Sequence, residues 1–348
     1  MNFKIDCLSK EELQKLAKIL GEKPYRGNQL FKWIYQKGVL DFSLMTDISK
    51  TFREKLNQSY SFTKLKIEHI ATSKLDGSKK ILFRLEDNNF IESVLMFDDD
   101  RITACISTQI GCRMGCKFCN TAKVGFIRNL TVGEIIRQII ELNNILTETG
   151  NKLTNIVFMG MGEPLDNLDN LEKSLEIILA EDGLNFSHRK VTISTAGLLD
   201  KLEKLTNKDF KVNIAISLNA PDNKKRNSIM PVNKKFDIND IVNTIKKLPI
   251  PKRKRITLEY VMIKNFNDST KDALKLVKLF KGLPVKVNLI IYNKTKESDL
   301  DSPDLNSALN FQKTLINNGI ATFIRKSFGA DIEAACGQLY ASYIDKTL

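Results

Sequence analysis

Histidine is nearly missing from this chain. Two occur in 348 residues, His69 and His188, and neither stands at a ligand-pair spacing from the cysteines. A zinc centre would have to find its fourth ligand far off in the sequence. Long apolar runs are missing too: no stretch approaches the ~20 residues that cross a bilayer. The opening Met1-Asn2-Phe3-Lys4-Ile5-Asp6 lacks the apolar core of a signal peptide. The expectation is a cytoplasmic protein without membrane contact. Acidic residues are outnumbered, 41 Asp and Glu against 54 Lys and Arg, which leaves a net charge of +13. That excess favours a polyanionic partner, nucleic acid first, although a lysine-rich composition also arises from genomic bias. Nothing in the chain supports hydrolytic or nicotinamide-linked chemistry. The length allows one large α/β domain with a smaller one beside it.

Cysteine is sparse, yet three of the six fall within eight residues, in Gly111-Cys112-Arg113-Met114-Gly115-Cys116-Lys117-Phe118-Cys119-Asn120. Thiols spaced C-x3-C-x2-C in a reducing compartment are metal or cluster ligands more often than disulfide partners. Their number matters. Four cysteines close a structural zinc or an iron–sulfur cluster, whereas a [4Fe–4S] cluster held by three leaves one iron open to a small molecule.

Residues 1–60 read as a small helical domain. Ser9 is placed as an N-cap, Glu11 and Glu12 lie in the first turn, Leu13, Leu16, Ile19 and Leu20 follow at helical spacing, and Gly21 stops the run. A second helix follows Pro24 and carries the lone Trp33, whose default place is the core. Arg26, Lys32 and Lys37 around it read as a solvated basic face with RNA contact as the alternative. From 61 to 98 the period changes to two, giving a hairpin turned at Asp76-Gly77 and a third strand, Phe90 to Met96. Glu92 on that strand reads either as a solvent-facing carboxylate, the usual case, or as one aimed into a site. Alternation favours solvent.

From 99 to 340 strands and helices alternate about every 30 residues, which suits a parallel sheet wound into a partial TIM-like (β/α) barrel. Expected strands are 102–107, 154–159, 190–194, 211–217, 256–263, 285–291 and 320–325. Helices fill the gaps at 131–146, 168–181, 198–206, 237–248, 269–281 and 304–317. The cysteine loop follows the first of these strands, at the edge where α/β ligands gather. Four other strand ends are polar or glycine-rich: Met159-Gly160-Met161-Gly162-Glu163-Pro164, Ser194-Thr195-Ala196-Gly197, Ser217-Leu218-Asn219-Ala220 and Tyr292-Asn293. Singly each is an ordinary turn or cap. Together they outline one pocket, with Glu163 able to accept from an ammonium. Cys336 stands among small residues that leave it accessible, Cys7 reads as inert, and Lys252-Arg253-Lys254-Arg255 reads as a solvated loop.

The triad, Cys105, Asn120-Thr121-Ala122-Lys123-Val124-Gly125-Phe126, Gly160-Met161-Gly162-Glu163-Pro164 and Ala334-Ala335-Cys336-Gly337-Gln338-Leu339 together resemble the RlmN type of radical S-adenosylmethionine (SAM) RNA methyltransferases. The resemblance implies an adenine-C2 methyltransferase acting on 23S ribosomal RNA and transfer RNA. It implies a [4Fe–4S] cluster on Cys112, Cys116 and Cys119, and two SAM molecules per turnover bound by Gly162, Glu163, Ser194, Ser217, Leu218, Asn219 and Asn293. It also implies Cys336 as the methyl-carrying residue, Cys105 as the thiol that resolves the protein–RNA adduct by a disulfide with Cys336, and Glu92 as proton acceptor. The partners implied are the two RNAs and a flavodoxin-like electron donor, with the enzyme acting as a monomer. Two departures stand out: Asn219 where the family commonly has histidine, and Ile291 where it commonly has proline. The related Cfr type, which methylates adenine C8, is the alternative; Pro164 and the 120–126 segment are more like the C2 type. An RNA-binding protein with a merely structural cluster would have no need of Cys336.

Overall fold

The computed structural model describes residues 3–208, 210–251, 254–294 and 298–340; Lys252 and Arg253 of the basic run lie outside the described residues. Its helical start is built from β1 (Phe3–Lys4), α1 (Lys10–Ile19), α2 (Tyr25–Phe31), α3 (Lys50–Ser59) and β2 (Tyr60–Ser61). Ser9 closes a capping box: its Oγ accepts from Glu12 N at 3.3 Å and its own N–H donates to Glu12 Oε2 at 2.7 Å. The sequence pattern does not announce α3, because only Phe52 and Leu56 of its ten residues are buried. Trp33 is half-buried rather than fully in the core. Its indole N–H donates to Asp47 Oδ1, and the Lys37 ammonium sits 3.4 Å over its ring.

Four strands follow: β3 (Lys66–Thr72), β4 (Lys79–Arg84), β5 (Phe90–Asp98) and β6 (Arg101–Cys105). Next come β7 (Gln109–Gly111), α4 (Asn120–Lys123), β8 (Phe126–Asn129), α5 (Val132–Thr147), β9 (Asn155–Phe158), α6 (Leu168–Leu179) and β10 (Val191–Thr195). The chain continues through α7 (Leu199–Thr206), β11 (Asn213–Ser217), α8 (Asn223–Ile229), α9 (Ile238–Lys247), β12 (Ile256–Met262), α10 (Thr270–Phe280), β13 (Val285–Ile291), α11 (Leu305–Asn317) and β14 (Thr322–Ile324).

Ten strands form one sheet in the order β14-β13-β12-β11-β10-β9-β6-β5-β4-β3. From β6 to β14 every pairing is parallel, while β3 to β6 pair antiparallel. The hairpin thus extends the barrel sheet. The sheet curls: Arg325, just past β14, donates to Met159 Sδ at 3.5 Å, just past β9. This is a partial barrel, with its apolar strands covered by amphipathic helices. On α5, Ile135, Ile136, Ile139 and Leu142 are each at most 1% exposed, and each such burial contributes about 1.5–3 kcal/mol.

Candidate active site

The loop that carries Cys112, Cys116 and Cys119 hangs between β7 and β8, which pair antiparallel and hold its two ends together. At its base Gly111 has φ +70, and a Cβ there would lie 1.6 Å from Gly125 O, so no other residue fits. Cys112 N donates to that same Gly125 O at 2.9 Å, and Lys117 N donates to Ile229 O at 3.0 Å. Arg113 braces the loop from outside, stacked 3.7 Å over the Phe126 ring and 2.8 Å from Asp166 Oδ2. All three cysteines line one cavity at the carboxyl edge of the sheet. Burial pushes their thiols up, Cys112 to about 12.

The opposite wall is the Gly160–Pro164 turn. It is laced to residues 106–109: Met161 N donates to Ser107 Oγ at 2.8 Å, and Glu163 N donates to Gln109 Oε1 at 2.8 Å. Gly162 has φ +99, and a Cβ there would stand 2.5 Å from Gln109 Cβ. Glu163 is 3% exposed; Oε2 accepts from Ala196 N at 2.7 Å and Oε1 from Leu165 N at 3.2 Å. Burial still raises its carboxyl to about 7, against those hydrogen bonds.

Ser194, Ser217, Asn219 and Asn293 line this cavity with Gly162 and Glu163, whereas Leu218 does not: it is fully buried below the wall. Asn219 adopts φ +56, a conformation asparagine tolerates better than most residues. Its Oδ1 accepts from Val261 N at 2.8 Å and its Nδ2 donates to Met230 Sδ at 3.3 Å.

Arg226 carries no site signal in the sequence, where it ends the basic run Lys224-Lys225-Arg226. It is 0% exposed. Its Nε donates to Leu218 O at 3.1 Å, Nη2 to Ala196 O at 2.7 Å and to Ser217 O at 3.1 Å, and Nη1 to Asn233 Oδ1 at 2.8 Å and Phe236 O at 3.1 Å. One guanidinium therefore fixes the ends of β10 and β11 where they meet the cavity.

Cys336 is exposed and lines the same cavity. It also lines a second, smaller one together with Cys105, so the two thiols, both free, share a wall. Burial first, and the neighbouring Cys336 next, push Cys105 up to about 12. Arg325 borders both cavities. Its partner Glu259, at 3.9 Å, is 5% exposed and keeps Oε2 without a hydrogen bond in the wall.

Glu92 corrects the sequence reading. It does not face solvent: it is 3% exposed, because the run Ile91–Leu95 of β5 is buried on both faces. Oε1 lies 3.3 Å from Lys80 Nζ and Oε2 accepts from Tyr340 N at 2.9 Å. It lines neither cavity.

Three soft thiol donors around a cavity suit a polynuclear iron–sulfur centre. Among the described residues no three His, Cys, Asp or Glu side chains converge closely enough for a single metal ion, for which thiolates would need to approach within roughly 3.7 Å of one another. The Glu259 oxygen in the wall, ion-paired with Arg325 at 3.9 Å but accepting no hydrogen bond, suits a ligand that brings hydrogen-bond donors.

Comparison with known proteins gives the family. Residues 5–61 match the family described as Ribosomal RNA large subunit methyltransferase N-terminal domain, and residues 106–277 match the Radical SAM superfamily. A protein of a Nitratiruptor species named Dual-specificity RNA methyltransferase RlmN is 44% identical over 345 residues, 95% of this chain and 96% of that one. A probable RlmN of Clostridioides difficile is 42% identical over 335 residues, covering 96% of each. The crystal structure of a radical SAM methyltransferase from Sphaerobacter thermophilus superposes with a TM-score of 0.92 at 37% identity, over 97% of this chain and 99% of that one. The chain belongs to the RlmN family of the radical SAM superfamily.

Proposed function

We propose that this radical SAM RNA methyltransferase methylates carbon 2 of adenine in 23S ribosomal RNA and in transfer RNA, in the cytoplasm and as a monomer, with Cys336 carrying the methyl group. The observation that carries the reading is the shared wall. Cys105 and Cys336 line one cavity, and Cys336 also lines the cavity of the three-cysteine loop. A thiol that touches both has access to the methyl source and to its resolving partner.

Carbon 2 of adenine is not nucleophilic, so polar transfer from SAM is closed and a radical route is needed. Cys112, Cys116 and Cys119 would hold a [4Fe–4S] cluster. Reduced by an external flavodoxin-like donor, such a cluster would supply the one electron that cleaves SAM to methionine and a 5′-deoxyadenosyl radical. Gly162, Glu163, Ser194, Ser217, Asn219 and Asn293 bind the SAM, and Leu218 contributes only by setting the backbone beneath it. Cys336, as a thiolate, would take a methyl from a first SAM, with S-adenosylhomocysteine leaving; the radical derived from a second SAM would remove one hydrogen from that methyl, giving 5′-deoxyadenosine. The methylene on Cys336 adds to carbon 2. The adduct's unpaired electron would return to the oxidised cluster, and Glu92 accepts the carbon-2 proton once its bond to Tyr340 is released. The Cys105 thiol gives up its proton as it attacks the Cys336 sulfur, and the disulfide forms as the bond from that sulfur to the methylene breaks and the freed carbon takes up a proton. The helical domain 1–60 and the net charge of +13 support RNA binding.

The test is nucleoside mass spectrometry on 23S ribosomal RNA and transfer RNA treated with anaerobically reconstituted protein, SAM and reductant. Formation of 2-methyladenosine by the native chain, and none by Cys336→Ala with its cluster intact, is the expected result. Formation of 8-methyladenosine would replace this reading with the C8 chemistry, and full activity of Cys336→Ala would remove the carrier role.

A further inference from the structure

The hairpin of β3 and β4 has no part in the chemistry described so far, yet its tip reaches the segment that carries Cys336. Asp331 Oδ1 accepts from Ser73 Oγ at 2.6 Å, and Asp331 Oδ2 accepts from Lys74 N at 2.9 Å. In the opposite sense, Asp76 Oδ2 accepts from Gly329 N at 2.8 Å. Behind the tip, Lys80 Nζ donates to Glu333 O at 3.4 Å and lies 3.3 Å from Glu92 Oε1. Two carboxylates from two segments each accept from the other segment, so a slip of either breaks both.

The far side of Cys336 is tied to different elements. Asn120 N donates to Gly337 O at 2.7 Å and Thr121 Oγ1 donates to Leu339 O at 2.8 Å. Residues 329–340 hold little regular structure beyond a short turn at Ala330–Ile332, so such ties fix where their side chains stand. The cysteine loop side sets the trailing end of the segment, and the hairpin tip sets its leading end.

We propose that the β3–β4 hairpin tip is a clasp that places Cys336 over the cluster cavity, with Asp331 and Asp76 as positioning residues. Its relevance to methyl transfer rests on the carrier role proposed for Cys336. Asp331 is exposed, and removing its carboxylate disturbs no core packing. Held closed, the clasp keeps the methyl on Cys336 within reach of the radical. Released, it lets SAM cleavage run without hydrogen abstraction from that methyl.

The experiment compares native protein, Asp331→Ala, Asp331→Asn and the double variant Asp331→Ala with Asp76→Ala. Amide hydrogen exchange is read at Lys74, Gly329, Gly337 and Tyr340, with the thermal melt as a control for the fold. Exchange should quicken about tenfold or more at Lys74 in both alanine variants and at Gly329 in the double variant, as expected for losing a charge-assisted hydrogen bond, and Tyr340 should quicken with them as the segment loosens. The melt should stay within a few degrees of native, and Asp331→Asn, which still accepts one bond, should recover part of the protection. In reconstituted enzyme, 5′-deoxyadenosine formed per methyl transferred should rise several-fold in the alanine variants. Unchanged exchange, or an unchanged ratio, overturns the clasp. If native protein methylates no RNA, the carrier reading falls by itself, and the exchange measurement alone decides whether the clasp exists.

Discussion

The carboxylate of Glu92 accepts a hydrogen bond from the backbone N–H of Tyr340 at 2.9 Å, across 248 residues of chain. Its other oxygen faces Lys80 at 3.3 Å. A carboxylate so engaged is oriented and kept from water, and the proton-acceptor role proposed for it requires the Tyr340 contact to open. Glu92→Gln retains an oxygen for Tyr340 N and removes the proton acceptor. The expected outcome is a fall of about 100- to 10,000-fold in methylated RNA released, while 5′-deoxyadenosine still forms and a covalent protein–RNA species accumulates on denaturing gels. The neutral amide leaves Lys80 without its charge partner, so a stability loss of about 1–3 kcal/mol in urea titration should accompany it. Normal product release by Glu92→Gln would assign the proton to another group.

Arg226 supports a prediction that separates scaffold from chemistry. Burial lowers its guanidinium to about 10, so it remains charged at neutral pH, held by acceptors on three segments. A lysine cannot reproduce the planar fork, and at least two carbonyls would be left without donors. We expect Arg226→Lys to cost about 3–5 kcal/mol in unfolding free energy. SAM affinity should weaken at least ~10-fold, because Ser217 and Asn219 lose their backing. Equilibrium urea unfolding and calorimetric titration of SAM read the two effects. A variant with native stability and affinity would show that these hydrogen bonds are not needed to shape the wall.

Why Arg226 is hidden in the sequence while the barrel is plain is a matter of range. A strand inside a parallel sheet is apolar along its length, so 285–291 coincides with β13 and 256–263 ends one residue from β12. Such patterns are local. The chemistry-bearing turns are also local: glycines and a carboxylate at strand ends place Gly162 and Glu163 in the wall. Glu92 is misread because alternation identifies two faces and cannot say that both are covered. The β7–β8 pair escapes since its strands are three and four residues long and the cysteine loop lies between them. The partners of Arg226 and Asp331 are contacts of the folded chain, and neither residue carries a signal of them in its own neighbourhood.

The extension of the sheet is fastened to the strands that hold the cysteine loop through Asp87 and Arg128. Asp87, in the turn between β4 and β5, accepts from Arg128 Nε on β8 at 2.7 Å, and the same guanidinium holds Glu134 at 2.8 Å. Burial works to raise the Asp87 carboxyl, but hydrogen bonds from Arg128 and Asn89 prevail and bring it from 3.8 to about 2. Because the group is more acidic folded than unfolded, its contribution is fully present above about pH 4. It is lost as pH falls through about 2. The two side chains are 32% and 39% exposed, enough for solvent screening to hold the size to about 0–1 kcal/mol. Urea midpoints of native protein and Asp87→Asn should therefore differ slightly at about pH 5 and converge toward about pH 2.5. A difference that grew on acidification would mean the bridge is held by something other than the ionised carboxylate. With the bridge gone, the β7–β8 pair should exchange its amide hydrogens faster than the rest of the sheet, since Arg128 would then be held by Glu134 and by its neighbour Asn129 O but no longer tied to the β4–β5 turn.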